Sequence, residues 1–151
     1  ESQTECVRCA GLLHDIGKVG VSDAILCKED KLTEEEFAVI RRHPEIGGKI
    51  LSCIDMFHNL GEIVRAHHER IDGRGYPDGL RGEQIPPEAR MISIADAFDA
   101  MMSDRHYRKR LSLAKAKEEL EAGKGTQFDA GLVEVFLELI ANGELGELEG
   151  T

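Results

Sequence analysis

Six side chains of this sequence are candidates for binding metal ions. They are His14, Asp15, His43, His67, His68 and Asp96. Neighbouring residues on a helix point about 100° apart, so one cation could bind His14 while the two carboxylate oxygens of Asp15 reach a second cation. Imidazole nitrogen and carboxylate oxygen without thiolate form a ligand set suited to a dinuclear iron or manganese centre.

Asp96 interrupts an apolar run that covers residues 91–102. An aspartate is almost never fully buried unless it is paired or binds a cation. Two structural alternatives stay open for it, an ion pair with Arg90 or the capping of a bent helix. For His14 and Asp15 the alternative is a capped, solvated helix end, since an adjacent His-Asp pair alone is a weak signal.

The segments that carry these side chains all show helical patterns. Thr33 followed by Glu36 is a capping box, and Pro44 restricts the residue before it, so a helix is predicted to end or kink at His43. Apolar residues recur at intervals of three and four, and no segment alternates with a period of two. The predicted helices cover residues 7–13, 33–43, 46–57, 60–67, 91–102, 112–120 and 129–140, and a loop with four glycines and three of the four prolines covers residues 71–87.

These patterns predict an all-α domain of about six or seven helices with a long Gly/Pro-rich loop. The domain is expected to span residues 1–141, followed by an acidic C-terminal tail at residues 142–151. A length of 151 residues, 41% of them hydrophobic, suits one globular domain. The formal net charge of −10 disfavours a nucleic-acid polymer as partner, because most of the surface would repel it.

The setting of the chain is also predicted from its sequence. No apolar stretch approaches the roughly 18 to 20 residues that a membrane-spanning helix needs. The four cysteines follow no secreted framework and no leader precedes them, which favours a reducing, cytoplasmic location. The first residue is Glu1 rather than Met, so we expect a piece of a longer polypeptide.

Five motifs carry a family resemblance. They are His14-Asp15-Ile16-Gly17-Lys18, His43-Pro44-Glu45-Ile46-Gly47, His67-His68-Glu69-Arg70-Ile71-Asp72-Gly73-Arg74-Gly75-Tyr76-Pro77, Ala95-Asp96-Ala97-Phe98-Asp99-Ala100-Met101 and Gly125-Thr126-Gln127-Phe128-Asp129. In order and spacing they closely resemble HD-GYP domains, the bacterial subgroup of HD phosphohydrolases that open cyclic di-GMP. The resemblance spans about residues 11–136 and implies the helical bundle of HD domains.

The resemblance implies a role for individual residues. All six candidate side chains would be metal ligands, with Asp15 bridging two ions. Lys18 would face the scissile phosphate, which makes Asp15 and Lys18 the expected catalytic residues. Arg105 and Arg108 would hold phosphate oxygens, and Tyr76 could stack on a guanine base.

The cofactors that the resemblance implies are two divalent cations, with iron or manganese expected. Their charge would create a positive pocket for a diphosphate ring within a negatively charged chain, and it would make bound water more acidic. Family members carry a further histidine, and often a glutamate, upstream of the His-Asp pair. Only thirteen residues precede His14 here, so those ligands for a third cation are missing.

The expected function is metal-dependent hydrolysis of cyclic di-GMP to linear pGpG, GMP or both. The chain would be the output domain of a signalling protein, behind a sensor or receiver domain. The resemblance also implies that the segment Gly75-Tyr76-Pro77 binds diguanylate cyclase (GGDEF) domains. Two alternatives stay open, a protein-interaction module with weak or no catalysis and an HD hydrolase for another nucleotide.

Overall fold

Helices make up the regular secondary structure of this protein. The computed structural model describes residues 2–28, 30–104 and 109–145. In these ranges the α-helices are α1 (Gln3–Leu13), α2 (Asp23–Leu26), α3 (Glu34–Ile40), α4 (His43–Ser52), α5 (Leu60–Ala66), α6 (Pro87–Met102), α7 (Leu113–Ala122) and α8 (Ala130–Ala141). Short 3-10 turns cover Ile16–Gly20, Asp55–Phe57 and Gly82–Gln84. The predicted all-α class is therefore confirmed.

Side-chain hydrogen bonds form at the three helix starts that the sequence predicts from capping residues. The hydroxyl of Thr33 accepts a bond from the backbone N–H of Glu36, and the carboxylate of Glu36 accepts one from the N–H of Thr33. Ser112 caps α7, and Asp129 caps α8. Such caps stabilise a helix because they satisfy N–H groups that have no partner within it. These predicted helix starts are confirmed.

Two helix ends differ from the prediction. The helix expected to reach His43 ends at Ile40, and His43 instead begins α4. Pro44 is compatible with this position, because the first turn of a helix does not need its missing N–H group. The next predicted helix ends at Ser52, five residues earlier than expected, and a 3-10 turn follows it. The single turn of α2 is too short to show an apolar period and was not predicted.

Helix α6 belongs to two hydrophobic clusters. Its first half, with Ala89 and Ile92, packs against α1, α4 and α5. Its second half, with Ile94 and Phe98, packs against α7 and α8. Asp96 therefore lies on a helix that both clusters hold in place.

Gly17 lets the turn that carries Asp15 lie directly against the start of α4. A Cβ atom at this position would overlap the carbonyl oxygen of His43 and stand 2.5 Å from the backbone nitrogen of Gly47. Only a residue without a side chain fits there. This contact brings the segment after α1 next to His43.

The long loop after α5 also depends on one close approach. A Cβ atom on Gly75 would stand 2.5 Å from the backbone nitrogen of Arg70 and 2.6 Å from the carbonyl oxygen of His68. The N–H of Tyr76 donates a hydrogen bond to that same carbonyl at 3.3 Å. The loop therefore folds back over the end of α5 and brings Tyr76 next to His68.

The predicted domain boundary stays a prediction. Helix α8 ends at Ala141, and Leu145 still packs against the second hydrophobic cluster. Residues 146–151 of the predicted acidic tail lie outside the described ranges.

Replacing Gly17 with Ala should push the Asp15 turn away from α4. Overpacking of this kind costs about 1–3 kcal/mol, so the midpoint of urea unfolding should fall. Gly11→Ala is the matched control, because it lies in α1 and a Cβ there meets no atom within 4 Å. Gly11→Ala should be neutral or stabilising, since alanine favours a helix over glycine. Equal midpoints for Gly17→Ala and the unmodified chain would contradict this packing.

Candidate metal centre

The six predicted ligands lie at the ends of helices or in the middle of α6. His14 follows the last residue of α1, and His67 follows the last residue of α5. His43 begins α4, and Asp96 lies near the centre of α6. Asp15 and His68 directly follow His14 and His67 in the sequence.

Three of the histidines are oriented by the same local hydrogen bond. The Nδ1 atom of His14 lies 2.6 Å from the carbonyl oxygen of Gly11, and that of His67 lies 2.6 Å from the carbonyl oxygen of Val64. The Nδ1 atom of His43 lies 2.8 Å from the carbonyl oxygen of Ile40. A carbonyl oxygen can only accept, so each Nδ1 carries a proton, and each ring presents an Nε2 lone pair when it is neutral.

The Nε2 lone pairs converge in a way that requires a cation or a proton. The Nε2 atoms of His43 and His67 are 3.3 Å apart. With both Nδ1 atoms protonated, neither Nε2 atom has a hydrogen to donate to the other. Two nitrogen ligands at about 2.0–2.1 Å from one metal ion are separated by a distance of this size. The donor set therefore fits a bound cation.

The carboxylates lie on the open side of the same cluster. Asp15 directs Oδ1 to the Nε2 atom of His43 at 3.4 Å and Oδ2 to that of His14 at 3.5 Å. Asp96 Oδ1 lies 3.6 Å from the Nε2 atom of His14. Because its two oxygens serve different histidines, Asp15 has the geometry of a bridging carboxylate.

Two overlapping groups of side chains could each hold an ion. One consists of His43, His67 and His68, and the other of His14, Asp15 and His67. Within each group the ligand atoms lie within 4.8 Å of one another. His67 belongs to both groups and is fully buried, so it lies at the centre of the cluster.

Burial prepares these imidazoles to act as ligands. Desolvation lowers the pKa of His67 to about 4 and also lowers the pKa values of His43 and His68. These rings are therefore neutral at pH 7 and keep a lone pair free. The pKa of His14 is raised instead, chiefly by the Asp96 carboxylate, whose Oδ1 lies 3.6 Å from Nε2.

The two carboxylates are held in the ionised form. Burial alone would raise the pKa of Asp96, but the nearby His14 and the other surrounding imidazoles outweigh it and lower that pKa. For Asp15 the effect of burial is outweighed by Lys18, whose ammonium lies 2.6 Å from Oδ2, and the pKa is again lowered. Lys18 therefore lies at the edge of the centre, paired with one of its predicted ligands.

Tyr76 lies against the ligand cluster from the side of the long loop. Its ring centroid is 4.9 Å from that of His68, with the rings tilted by 30°. Burial raises the pKa of its hydroxyl to about 12, so the group stays protonated. The guanidinium of Arg41 lies 5.3 Å from the centroid of the Tyr76 ring.

Glu69 is a buried acidic residue to which the sequence assigned no role. Its carboxylate accepts hydrogen bonds from the backbone N–H groups of Asp78, Gly79 and Leu80, at 2.7 to 3.0 Å. The residue is 3% exposed. Glu69 thus fastens the loop to the residue after ligand His68. In the sequence Glu69 directly follows two histidines, which is the one signal that could have drawn attention to it. Its role could not be predicted, because only the folded loop brings the three N–H groups to its carboxylate.

The alternative of an ion pair between Asp96 and Arg90 is wrong, and two predicted phosphate ligands lie outside the described residues. Arg90 pairs with Asp129 at 2.7 Å rather than with Asp96. It thereby joins α6 to the start of α8. Arg105 and Arg108, the predicted phosphate ligands, lie outside the described residues.

The chain was compared with known proteins. The sequence profile described as HD domain matches residues 1–132. The chain belongs to the HD domain family. It is 43% identical over 139 residues to the cyclic di-GMP phosphodiesterase response regulator RpfG of Xanthomonas campestris pv. campestris, covering 91% of this chain and 37% of that protein. The predicted HD-GYP resemblance is confirmed.

A second curated relative of this HD domain is named for a different substrate. The chain is 41% identical over 140 residues to the 3'3'-cGAMP-specific phosphodiesterase 2 of Vibrio cholerae, covering 91% of this chain and 27% of that protein. The HD domain thus spans about a third of the length of the curated relatives it matches.

Solved structures support the fold of this HD domain. It superposes on a crystal structure of a cyclic GMP-AMP-specific phosphodiesterase of Vibrio cholerae (V-cGAP3) with a TM-score of 0.71. Sequence identity is 19%, and the superposition covers 100% of this chain and 42% of that one. At this identity the likeness concerns the fold alone.

A separate finding concerns membranes. In the described ranges, no helix combines the length and the apolar character needed to cross a bilayer.

Metal binding should depend on the shared ligand His67. His67→Gln removes an Nε2 atom that belongs to both ligand groups, so the number of Mn²⁺ ions per chain should fall after dialysis against a fixed concentration. The thermal stabilisation that Mn²⁺ gives should fall with it. The control is His58→Gln, because His58 is exposed, places Nδ1 3.0 Å from the carbonyl oxygen of Ser52 and belongs to neither ligand group. Unchanged metal content in His67→Gln, measured by plasma emission, would contradict the assignment.

The metal-free protein should lose stability in acid. Unfolded histidine has a pKa near 6.5, whereas His67 and His68 have lowered pKa values in the fold. Between pH 6.5 and about 4, the unfolded chain therefore binds more protons, and the free energy of unfolding falls as pH falls. The raised pKa of His14 acts in a separate window above 6.5, where its contribution is lost as pH rises.

The measurement for this prediction is a series of urea unfolding midpoints after chelation. The midpoint should fall between pH 6.5 and pH 4.5, and His67→Gln should reduce its slope against pH. His58→Gln should keep the slope of the unmodified chain. A midpoint that stays level or rises over this interval would show that the buried imidazoles are not held neutral.

Proposed function

We propose that this HD domain is a metal-dependent phosphodiesterase that hydrolyses cyclic di-GMP to linear pGpG, GMP or both. The observation that carries the proposal is the convergence of the Nε2 atoms of His14, His43 and His67 with the Asp15 and Asp96 carboxylates. The 43% identity to a protein named as a cyclic di-GMP phosphodiesterase supports the substrate.

Two divalent cations, iron or manganese, are the proposed cofactors. The two overlapping ligand groups that share His67 support the number two. Ligands of nitrogen and oxygen without thiolate support iron or manganese. When bound, such cations polarise a phosphoryl oxygen and make water acidic enough to attack phosphorus near neutral pH.

The residues of the chain have distinct proposed roles. Asp15 holds its two oxygens toward two histidines, and the ionised state of Asp96 keeps the negative charge that the cations need. Lys18, with its ammonium 2.6 Å from Asp15, stabilises negative charge on the phosphoryl oxygens of the substrate. Tyr76, stacked on His68, offers an aromatic face to a guanine base.

Hydrolysis of 3'3'-cGAMP is a second candidate activity. The observation in its favour is the 41% identity to a phosphodiesterase named for that substrate. Both substrates are rings with two phosphodiesters, so the same metal centre could act on either. Their bases differ, and the residues that contact the bases would decide between them.

Further elements of the proposal rest on the family resemblance alone. They are the binding of GGDEF domains through Gly75-Tyr76-Pro77, a sensor or receiver domain in a longer polypeptide, and phosphate binding by Arg105 and Arg108. A cytoplasmic location is proposed from the cysteines instead. The four cysteines, none of which forms a disulfide, fit a reducing compartment.

The test of the proposed function is product analysis with a variant of the bridging carboxylate. Mn²⁺-loaded or Fe²⁺-loaded protein should convert cyclic di-GMP to a linear product that chromatography resolves, and 3'3'-cGAMP should be assayed beside it. Asp15→Asn should lower the rate at least about 100-fold, because the carboxylate that bridges the histidines loses its charge.

The control for this assay is Asp55→Asn, an exposed aspartate in a 3-10 turn away from the centre. It should keep the rate of the unmodified chain. No linear product from either substrate at any metal loading would refute the proposal. It would instead favour the interaction module.

A further inference from the structure

A polar pocket adjoins the metal centre at His68. Its volume is about 400 Å³. Residues from four parts of the chain line it, including Arg41, His68, Arg74, Tyr76, Ser93 and Gln127. Because His68 also belongs to one of the two ligand groups, the pocket directly adjoins the place where a phosphodiester would be cleaved.

Arg41 reaches this pocket from the end of α3. Its guanidinium lies 4.6 Å from the ring centroid of Phe37 and 5.3 Å from that of Tyr76, so two aromatic faces hold it. It forms no ion pair with any carboxylate in the described part of the chain. Arg41 is thus a positioned cation whose hydrogen-bond donors stay available.

Arg74 reaches the same pocket from the long loop. Its backbone N–H donates to Asp72, but its guanidinium likewise has no ion pair among residues 2–28, 30–104 and 109–145. The neighbouring Arg70 shows the contrast, because it makes two hydrogen bonds to Asp72 at 3.0 and 2.7 Å. In a chain with 29 acidic and 19 basic side chains, two unpaired arginines at one pocket call for another anion.

The pocket offers hydrogen-bond donors, and its negative charge is already hydrogen-bonded. Glu69 is the one carboxylate among its lining residues, and three backbone N–H groups already occupy it. Ser93 and Gln127 add a hydroxyl and an amide. A phosphodiester has only acceptor oxygens and a negative charge, which suits two guanidinium groups.

We propose that Arg41 and Arg74 bind the second phosphodiester of the cyclic dinucleotide, the one that is not being cleaved. This inference rests on the proposed function, since a ring with two phosphates is what places the second one beside the first. The metal centre then holds one phosphate while the pocket holds the other. The two arginines would thereby select cyclic dinucleotides over substrates that carry a single phosphodiester.

The test compares two substrates on the metal-loaded protein. Cyclic di-GMP has two phosphodiesters, whereas bis(p-nitrophenyl) phosphate has one. Arg41→Ala should raise KM for cyclic di-GMP about tenfold or more, and the ratio of kcat/KM for cyclic di-GMP to that for bis(p-nitrophenyl) phosphate should fall by a similar factor. Arg74→Ala should lower the ratio in the same direction.

Three further variants make the test specific. Arg42→Ala changes an adjacent exposed arginine that does not line the pocket, and its substrate ratio should equal that of the unmodified chain. Arg41→Lys keeps the charge, so its substrate ratio should fall less than that of Arg41→Gln, which keeps much of the side-chain length but not the charge. Metal content and thermal midpoints are measured for every variant.

The outcomes separate this inference from the proposed function. An unchanged substrate ratio in both Arg41→Ala and Arg74→Ala overturns the inference while cyclic di-GMP hydrolysis stands. A higher substrate ratio for Arg41→Gln than for Arg41→Lys also overturns it, because stacking rather than charge would then decide the ratio. If the unmodified chain cleaves bis(p-nitrophenyl) phosphate but neither binds nor cleaves cyclic di-GMP, the proposed function fails and the inference fails with it.

Discussion

One repeated hydrogen bond determines the chemistry of this HD domain. His14 and His67 directly follow α1 and α5, and His43 lies three residues after the end of α3. Each bonds its Nδ1–H to a carbonyl oxygen in the last turn of the helix before it. Those carbonyls have no partner within the helix, so the bond stabilises the helix end and fixes the imidazole tautomer at once. The Nε2 lone pairs of His43 and His67 then face one another at 3.3 Å, a geometry that a cation stabilises.

The rest of the fold brings these helix ends together. Gly17 allows the turn after α1 to touch the backbone of α4, which sets Asp15 beside His43. Helix α6 carries Asp96 to the same place and is held by two hydrophobic clusters. On the remaining side, Glu69 ties the long loop to the end of α5 and thereby places Tyr76 over His68. Packing therefore sets the positions of the ligands.

The sequence predicted what depends on residue type and local spacing. Capping residues such as Thr33 marked helix starts. Five of the six predicted ligands belong to the two groups, and the sixth, Asp96, lies 3.6 Å from His14. Contacts between distant segments could not be predicted. The partner of Arg90, the amide cradle of Glu69 and the stacking of Arg41 on Tyr76 each join residues that only the folded chain brings together.

The most direct test of this account is a crystal structure of Mn²⁺-loaded protein with anomalous scattering recorded at the manganese absorption edge. The account predicts anomalous peaks within bonding distance of the Nε2 atoms of His14, His43 and His67, with their Nδ1 atoms still bonded to Gly11, Ile40 and Val64. Peaks bound through Nδ1, or manganese located only elsewhere on the chain, would contradict it.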